Sequence, residues 1–244
     1  MRNLWSKNLQ EKKKNRSSQA KKKKQKKPRS QRVKLLLDKT LWKKHNHLAG
    51  VDEAGRGPLA GPVVAAAVIF KKNFYNPEIN DSKKLSPLKR EKLYRIITNV
   101  ALSYSFGIVE PDIIDKINIL NATKQAMRQA IDGLKILPDV VLIDAVTIND
   151  LPLQQLAIIK GDTLSLSIAA ASILAKVKRD RIMQKYHEQY PVYQFNKHKG
   201  YPTKLHRRCI REYGPCPIHR KTFRLLGSNP FDFAQDRPLD SPGQ

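Results

Sequence analysis

Four acidic residues stand where the chain leaves, or runs along, an apolar element. Asp52 and Glu53 directly follow Leu48-Ala49-Gly50-Val51, and Asp144 ends the run Val140-Val141-Leu142-Ile143. Asp180 falls on a long helical stretch, eight residues after Ser172 and four after Lys176, so the three share one face. Singly, each acid reads as a turn residue or a helix cap. Together they read as a cluster. Two ionised carboxylates about 4 Å apart repel by roughly 4 kcal/mol at an effective dielectric of 20, so a fold that gathers them must protonate them or bind cations. Oxygen donors select hard ions, which makes Mg²⁺ or Mn²⁺ the expected cofactor. Two such ions about 3.5–4 Å apart suit in-line displacement at a phosphodiester. Asp52, Glu53, Asp144 and Asp180 are therefore the expected catalytic and metal-binding residues.

The turn Gly55-Arg56-Gly57-Pro58 follows the first acidic pair with no helix between them, so it is neither a Walker loop nor a dinucleotide fingerprint. Glycines there let backbone groups approach a ligand closely, and Arg56 can add a charge-assisted contact to phosphate. Backbone groups beside the acids can also reach a 2′-hydroxyl, the group that separates RNA from DNA. Lys160, beside Asp162, is a further phosphate candidate, and Asp162 itself can lie near the metals. Lys83 and Lys84 read more simply as solvated surface charges. Ser172 has no His with an orienting acid near it in sequence, so it reads as a polar contact on the site-facing side of a helix. His206, Cys209, Cys216 and His219 fit no zinc pattern well.

The elements that must hold these groups alternate along the chain. Strands are predicted at 47–52, 62–70, 101–109, 140–144 and 155–160. Helices are predicted from Ser86-Pro87 to Val100, over 111–134 with a break near Asn118 to Asn121, over 164–190, and over 203–213. This is an α/β pattern: a mixed sheet covered by helices.

Composition names the partner class. The 244 residues carry a formal charge of +26, which excludes an ordinary neutral metabolic enzyme as the default and favours a polyanion. Residues 1–44 hold 18 Lys+Arg against Glu11 and Asp38, so +16 of the charge lies there. The segment reads as a disordered basic arm, either a salt-sensitive tether to nucleic acid or a solubilising tail. Residues 45–226 read as the folded catalytic domain and 227–244, rich in Pro, Asp, Ser and Gly, as a disordered tail. Two cysteines make no disulfide scaffold, no apolar stretch reaches membrane-span length, and the first residues lack a secretory h-region. A cytoplasmic, membrane-free monomer is expected.

Several motifs resemble a known family. DEAGRGPLAGPVVAAAV (52–68) is similar to the signature of bacterial ribonuclease HII, as are DSKKLS (81–86), VLIDA (141–145), KGD (160–162), SIAAASILAKVKRDR (167–181), GYPT (200–203) and HRRCIREYGPCPIHRKTF (206–223). The similarity runs in order over about residues 41–224. It implies a ribonuclease H-like mixed sheet flanked by helices, with a small helical C-terminal region. It also implies metal-dependent cleavage of the RNA strand of RNA/DNA hybrids and of ribonucleotides embedded in duplex DNA, leaving 3′-hydroxyl and 5′-phosphate ends. By the same resemblance, Asp52, Glu53, Asp144 and Asp180 match the family's acids, and Gly55, Arg56 and Gly57 the loop that senses the 2′-hydroxyl. Tyr201 matches an aromatic residue that packs on a deoxyribose. Arg56 separates the chain from the sister family, ribonuclease HIII. The alternatives are another metal-dependent nuclease of the same fold and a non-catalytic nucleic-acid binder. The motifs identify no contact with a sliding clamp.

Overall fold

The structure, a computed structural model, describes residues 29–226. Its centre is a mixed sheet of β1 (Leu48–Ala54), β2 (Val63–Ile69), β3 (Ser103–Val109), β4 (Val140–Asp144) and β5 (Gln154–Ile158), in the order β3-β2-β1-β4-β5. The first three strands pair antiparallel, while β4 joins β1, and β5 joins β4, in parallel. Every residue of β2, VVAAAVI, is buried. A strand with neighbours on both sides and helices over both faces needs such an unalternating apolar run.

The helices are α1 (Arg29–Trp42), α2 (Pro87–Val100), α3 (Pro111–Asp132), α4 (Gly161–Leu164), α5 (Leu166–Gln189), α6 (Phe195–His198) and α7 (Lys204–Tyr213). On one face Leu48, Ala66, Val68 and Leu142 pack with Ile168, Ala171 and Ile173 of α5. On the other, Val51, Ala65, Ala67 and Ile143 pack with Ile114, Ala126 and Met127 of α3. The period-2 alternation of each strand divides these two cores. The break predicted in α3 falls at Asn118 (φ 66°), whose Oδ1 accepts from the amides of Leu120 and Asn121 and so starts the helix again. A third cluster, Ala60, Met183, Tyr193, Phe195, Cys209 and Ile218, fixes the helical C-terminal region to the far half of α5.

Residues 1–44 were expected to form a disordered arm, yet residues 29–42 form α1, with Asp38 and Trp42 buried. Asp38 Oδ2 accepts from Ser167 N–H and Ser167 Oγ, each at 2.9 Å, so it caps the first turn of α5 from another element. Charge counting misses this because one buried acid offsets little of a basic run in sequence yet holds a helix end in space. The remainder of the expected arm, residues 1–28, and the expected tail, 227–244, lie outside the described residues. Among the described residues no helix is long and apolar enough to cross a membrane.

Candidate active site

The sheet brings three of the expected acids to one end. β1 and β4 run parallel with Val51 opposite Ile143, so Asp52 and Asp144 follow at the same level of neighbouring central strands, which lie about 4.8 Å apart. Gly50 makes the approach of α5 possible: a Cβ there would come within 2.1 Å of the Ser167 backbone. With α5 seated on β1, the Ser172 hydroxyl hydrogen-bonds Asp52 and lies 2.9 Å from Ser82 Oγ. Ser82 is held by the turn Ser82–Lys84, which Asp81 caps. Ser172 is thus the polar, site-facing contact that its position predicted.

The electrostatics are those of an acidic cluster with Arg56 as a single nearby counter-charge. Burial, then the charges of Glu53 and Asp144, push the Asp52 carboxyl well above the ordinary range. Burial raises Glu53 as well, against the opposing pull of Arg56, whose Nη1 lies 3.5 Å from Glu53 Oε1. Asp144 Oδ1 accepts from Gly161 N–H at 2.7 Å. The donor set is all oxygen and short of positive charge, which fits a hard divalent cation. Among the described residues no group of three His, Cys, Asp or Glu side chains is placed to hold a metal ion by itself. Mg²⁺-type sites are ordinarily completed by water and substrate phosphate, so these residues fit the ion as an open site.

Asp180 is placed differently from the other three. Its Oδ1 pairs with Lys176 Nζ at 2.7 Å and its Oδ2 lies 3.9 Å from Arg90 Nη2. With Lys197 and Lys199 these groups line an open groove of about 510 Å³. Asp162, in contrast, directly follows Gly161, whose amide holds Asp144, and begins the first turn of α4. Lys160, left-handed at φ 57° and exposed, precedes that turn.

Next to the acids, Gly55 takes φ +104° and Arg56 and Gly57 are exposed. Tyr201, 38% exposed, faces the loop: a Cβ on Gly57 would meet its ring edge at 4.0 Å. Lys176 Nζ lies 5.5 Å and Arg179 Cζ 5.8 Å from the Tyr201 ring centre. Beneath the loop sit two fully buried guanidinium groups, Arg179 and Arg220, which the sequence reading assigned no role. Burial draws Arg179 down to about 10 and Arg220 down to about 9, so both remain cationic at neutral pH. Their signal in the sequence is faint: Arg179 falls seven residues after Ser172, on the buried face of α5.

The histidines and cysteines near the C-terminus form a hydrogen-bonded chain. Cys216 N–H donates to His219 Nδ1 (2.9 Å), which leaves His219 Nε2 to meet His206 Nε2 (3.1 Å) and His206 Nδ1 to donate to the Tyr201 carbonyl (3.0 Å). Burial holds His206 down to about 3 and His219 down to about 4, so both are neutral in the folded protein.

A mixed sheet in this order, with helices on both faces and acids at the ends of its central strands, defines a ribonuclease H-like enzyme. The profile of the ribonuclease HII family matches residues 49–226. The ribonuclease HII of Caldanaerobacter subterraneus subsp. tengcongensis is 60% identical over 178 residues, 73% of this chain and 74% of that protein. Among solved structures, the ribonuclease H2 of Pyrococcus horikoshii OT3 aligns with a TM-score of 0.61 at 29% identity, covering 73% of this chain and 94% of that one. The RNase HII of Archaeoglobus fulgidus, solved in complex with PCNA, aligns with a TM-score of 0.62 at 26% identity over 77% and 100%. The chain belongs to the ribonuclease HII family: it is an endoribonuclease that acts on RNA/DNA hybrids.

Proposed function

We propose that the enzyme hydrolyses both the RNA strand of RNA/DNA hybrids and the phosphodiester at single ribonucleotides embedded in duplex DNA, leaving 3′-hydroxyl and 5′-phosphate ends. The observation that carries this reading is the mutually repelling set of buried Asp52 and half-buried Glu53 and Asp144, set against the Gly55-Arg56-Gly57 loop. Asp52, Glu53 and Asp144 would hold Mg²⁺ or Mn²⁺, in one or two sites. A divalent ion, when bound, supplies water ionisation near neutral pH and charge neutralisation at phosphorus. Ser172 orients Asp52, and Gly161 N–H orients Asp144. Arg56, already against Glu53, is within reach of a substrate phosphate once that carboxylate is engaged. The fourth acid is better filled by Asp162 than by Asp180, because Asp162 sits on the turn whose Gly161 amide holds Asp144, whereas Asp180 lies on α5 beside Lys176 and Arg90.

Selection rests on the sugar. Gly55, Arg56 and Gly57 read the 2′-hydroxyl with backbone groups, and Tyr201 packs on the neighbouring deoxyribose. Arg90, Lys176, Lys197 and Lys199 hold the duplex backbone along the groove, and Lys160, exposed before α4, is a further phosphate contact. Base sequence then matters little. Residues 1–28 act as the salt-sensitive tether. The complex of the Archaeoglobus protein with PCNA supports a sliding clamp as a partner. The enzyme acts as a monomer in the cytoplasm. The main competing reaction is cleavage of DNA itself on the same scaffold. A matched pair of duplexes, with and without one ribonucleotide, separates the two, and equal cutting of both excludes the proposed activity.

A further inference from the structure

Buried charges are ordinarily paired with opposite charge. Arg179 and Arg220 are not: each is 0% exposed, and among the described residues neither lies within ion-pair distance of a carboxylate. Their donors go to backbone carbonyls instead. Arg220 Nη2 donates to Gly55 O (2.6 Å) and Gly61 O (2.8 Å), its Nη1 to Arg56 O (3.0 Å) and its Nε to Gly61 O (3.0 Å). Arg179 Nε donates to Pro62 O (2.9 Å), Nη2 to Ala60 O (3.0 Å) and Nη1 to Lys199 O (2.9 Å). Nearly all of these acceptors belong to the single segment 55–62 that follows the catalytic strand. The exception, Lys199, precedes Gly200 and Tyr201.

The direction of these bonds has a consequence. In a planar trans peptide the C=O of one residue and the N–H of the next point opposite ways. With the Gly55 and Arg56 carbonyls drawn inward to Arg220, the amides of Arg56 and Gly57 are turned outward, away from the guanidinium. Among the described residues neither amide donates to another backbone carbonyl. Gly55 is required for the arrangement, since its φ is +104° and a Cβ would come within 2.2 Å of Arg179 Nε. Arg179 also ties the loop to the turn carrying Tyr201, joined again by Leu59 N–H to Gly200 O at 2.8 Å. A buried ion gives little stability that apolar packing would not give as well, whereas a rigid fork of donors fixes peptide orientation.

We infer that Arg220 is a specificity-determining positioning residue: by capturing the Gly55 and Arg56 carbonyls it aims the Arg56 and Gly57 amides at the substrate 2′-oxygen, while Arg179 sets the distance from that loop to Tyr201. The inference rests on the proposed reading of the loop as the 2′-hydroxyl sensor and adds the groups that make it one.

The test compares single-turnover cleavage of duplexes carrying one ribonucleotide or its 2′-fluoro analogue, which lacks the hydroxyl proton and is a weak acceptor. The wild type is expected to lose roughly 100-fold or more on the analogue. Lysine retains the charge of Arg220 but cannot span the same carbonyls, so R220K is expected to shrink that ratio by about tenfold or more. Its loss falls on the ribonucleotide substrate, and affinity for an all-DNA duplex stays within about twofold. An unchanged ratio in folded R220K, with equal losses on both substrates, would overturn the inference and make Arg220 a scaffold residue. If R220K does not fold, G57P carries the test. It removes one amide while leaving Arg220 in place; the ratio should again collapse, and G57A, which keeps the amide, should preserve it. A G57P ratio equal to that of the wild type contradicts the inference. A wild type indifferent to the 2′-substituent removes the sensor reading itself, and the inference with it.

Discussion

The amide of Gly161 donates to Asp144 Oδ1 across 2.7 Å, so the first turn of α4 is bound directly to the acid at the end of β4. The residue carried in on that turn is Asp162. Asp180 lies on α5, paired with Lys176 and Arg90 along the groove.

These placements separate two substitutions that look alike. D162N is expected to lower kcat by about 100-fold or more, with activity partly regained at high Mn²⁺ concentration. D180N is expected to act mainly on KM, by roughly tenfold or less, because it frees Lys176 and Arg90 without removing a site carboxylate. Steady-state kinetics over a metal titration measure both; a larger kcat loss in D180N than in D162N would return Asp180 to the cluster.

Metal-free stability follows from the raised carboxyls. In the folded protein Asp52 and Glu53 bind protons more tightly than in the unfolded chain, whose values are near 3.8 and 4.5. The native state therefore holds more protons over the range above those values, and stability must fall as pH rises through it. In chelator, Tm is expected to drop from pH 5 to pH 7.5 by more than that of D52N. D52N should stabilise the metal-free protein by about 1–3 kcal/mol while losing activity. Thermal melts with and without Mg²⁺ check this, and a D52N protein less stable than wild type in chelator contradicts it.

The histidine chain has the opposite sign. His206 and His219 are held down to about 3 and about 4, below the 6.5 of an unfolded histidine. The unfolded chain binds more protons between those values, so their contribution is complete above pH 6.5 and is lost as pH falls toward 4. Hydrogen exchange should show the amides of α7 and of residues 216–220 losing protection first on acidification. H206Q should blunt that acid sensitivity; uniform loss across the sheet would contradict it.

The N-terminal half of the chain holds two separable effects. Removing residues 1–28 should leave Tm within a degree and flatten the salt dependence of duplex binding. D38A, which uncaps α5, should cost about 1–2 kcal/mol and leave that slope unchanged. Chemical denaturation and salt titrations of the two variants test the division.

Much of this was legible in the sequence because the signals are local. The β2 run VVAAAVI, Pro87 behind Ser86 and Pro191 after α5 mark elements that the structure contains. That Asp52, Glu53 and Asp144 meet at one end of the sheet was legible from acids at strand ends. Asp38, Arg179 and Arg220 were not legible. Their partners lie 129, 117 and 165 residues away, and a charged residue destined for burial looks in sequence like any other. For Asp180, helical spacing from Ser172 gives its face of α5 but not its pairing with Lys176 and Arg90.

Incision of a DNA duplex bearing one ribonucleotide, beside the matched all-DNA duplex, tests the central claim most directly. The account expects cutting at the ribonucleotide alone, dependent on added Mg²⁺ or Mn²⁺, with 3′-hydroxyl and 5′-phosphate ends. D144N should abolish that cutting while still binding the duplex. Equal cutting of both duplexes, or cutting that survives D144N, would contradict it.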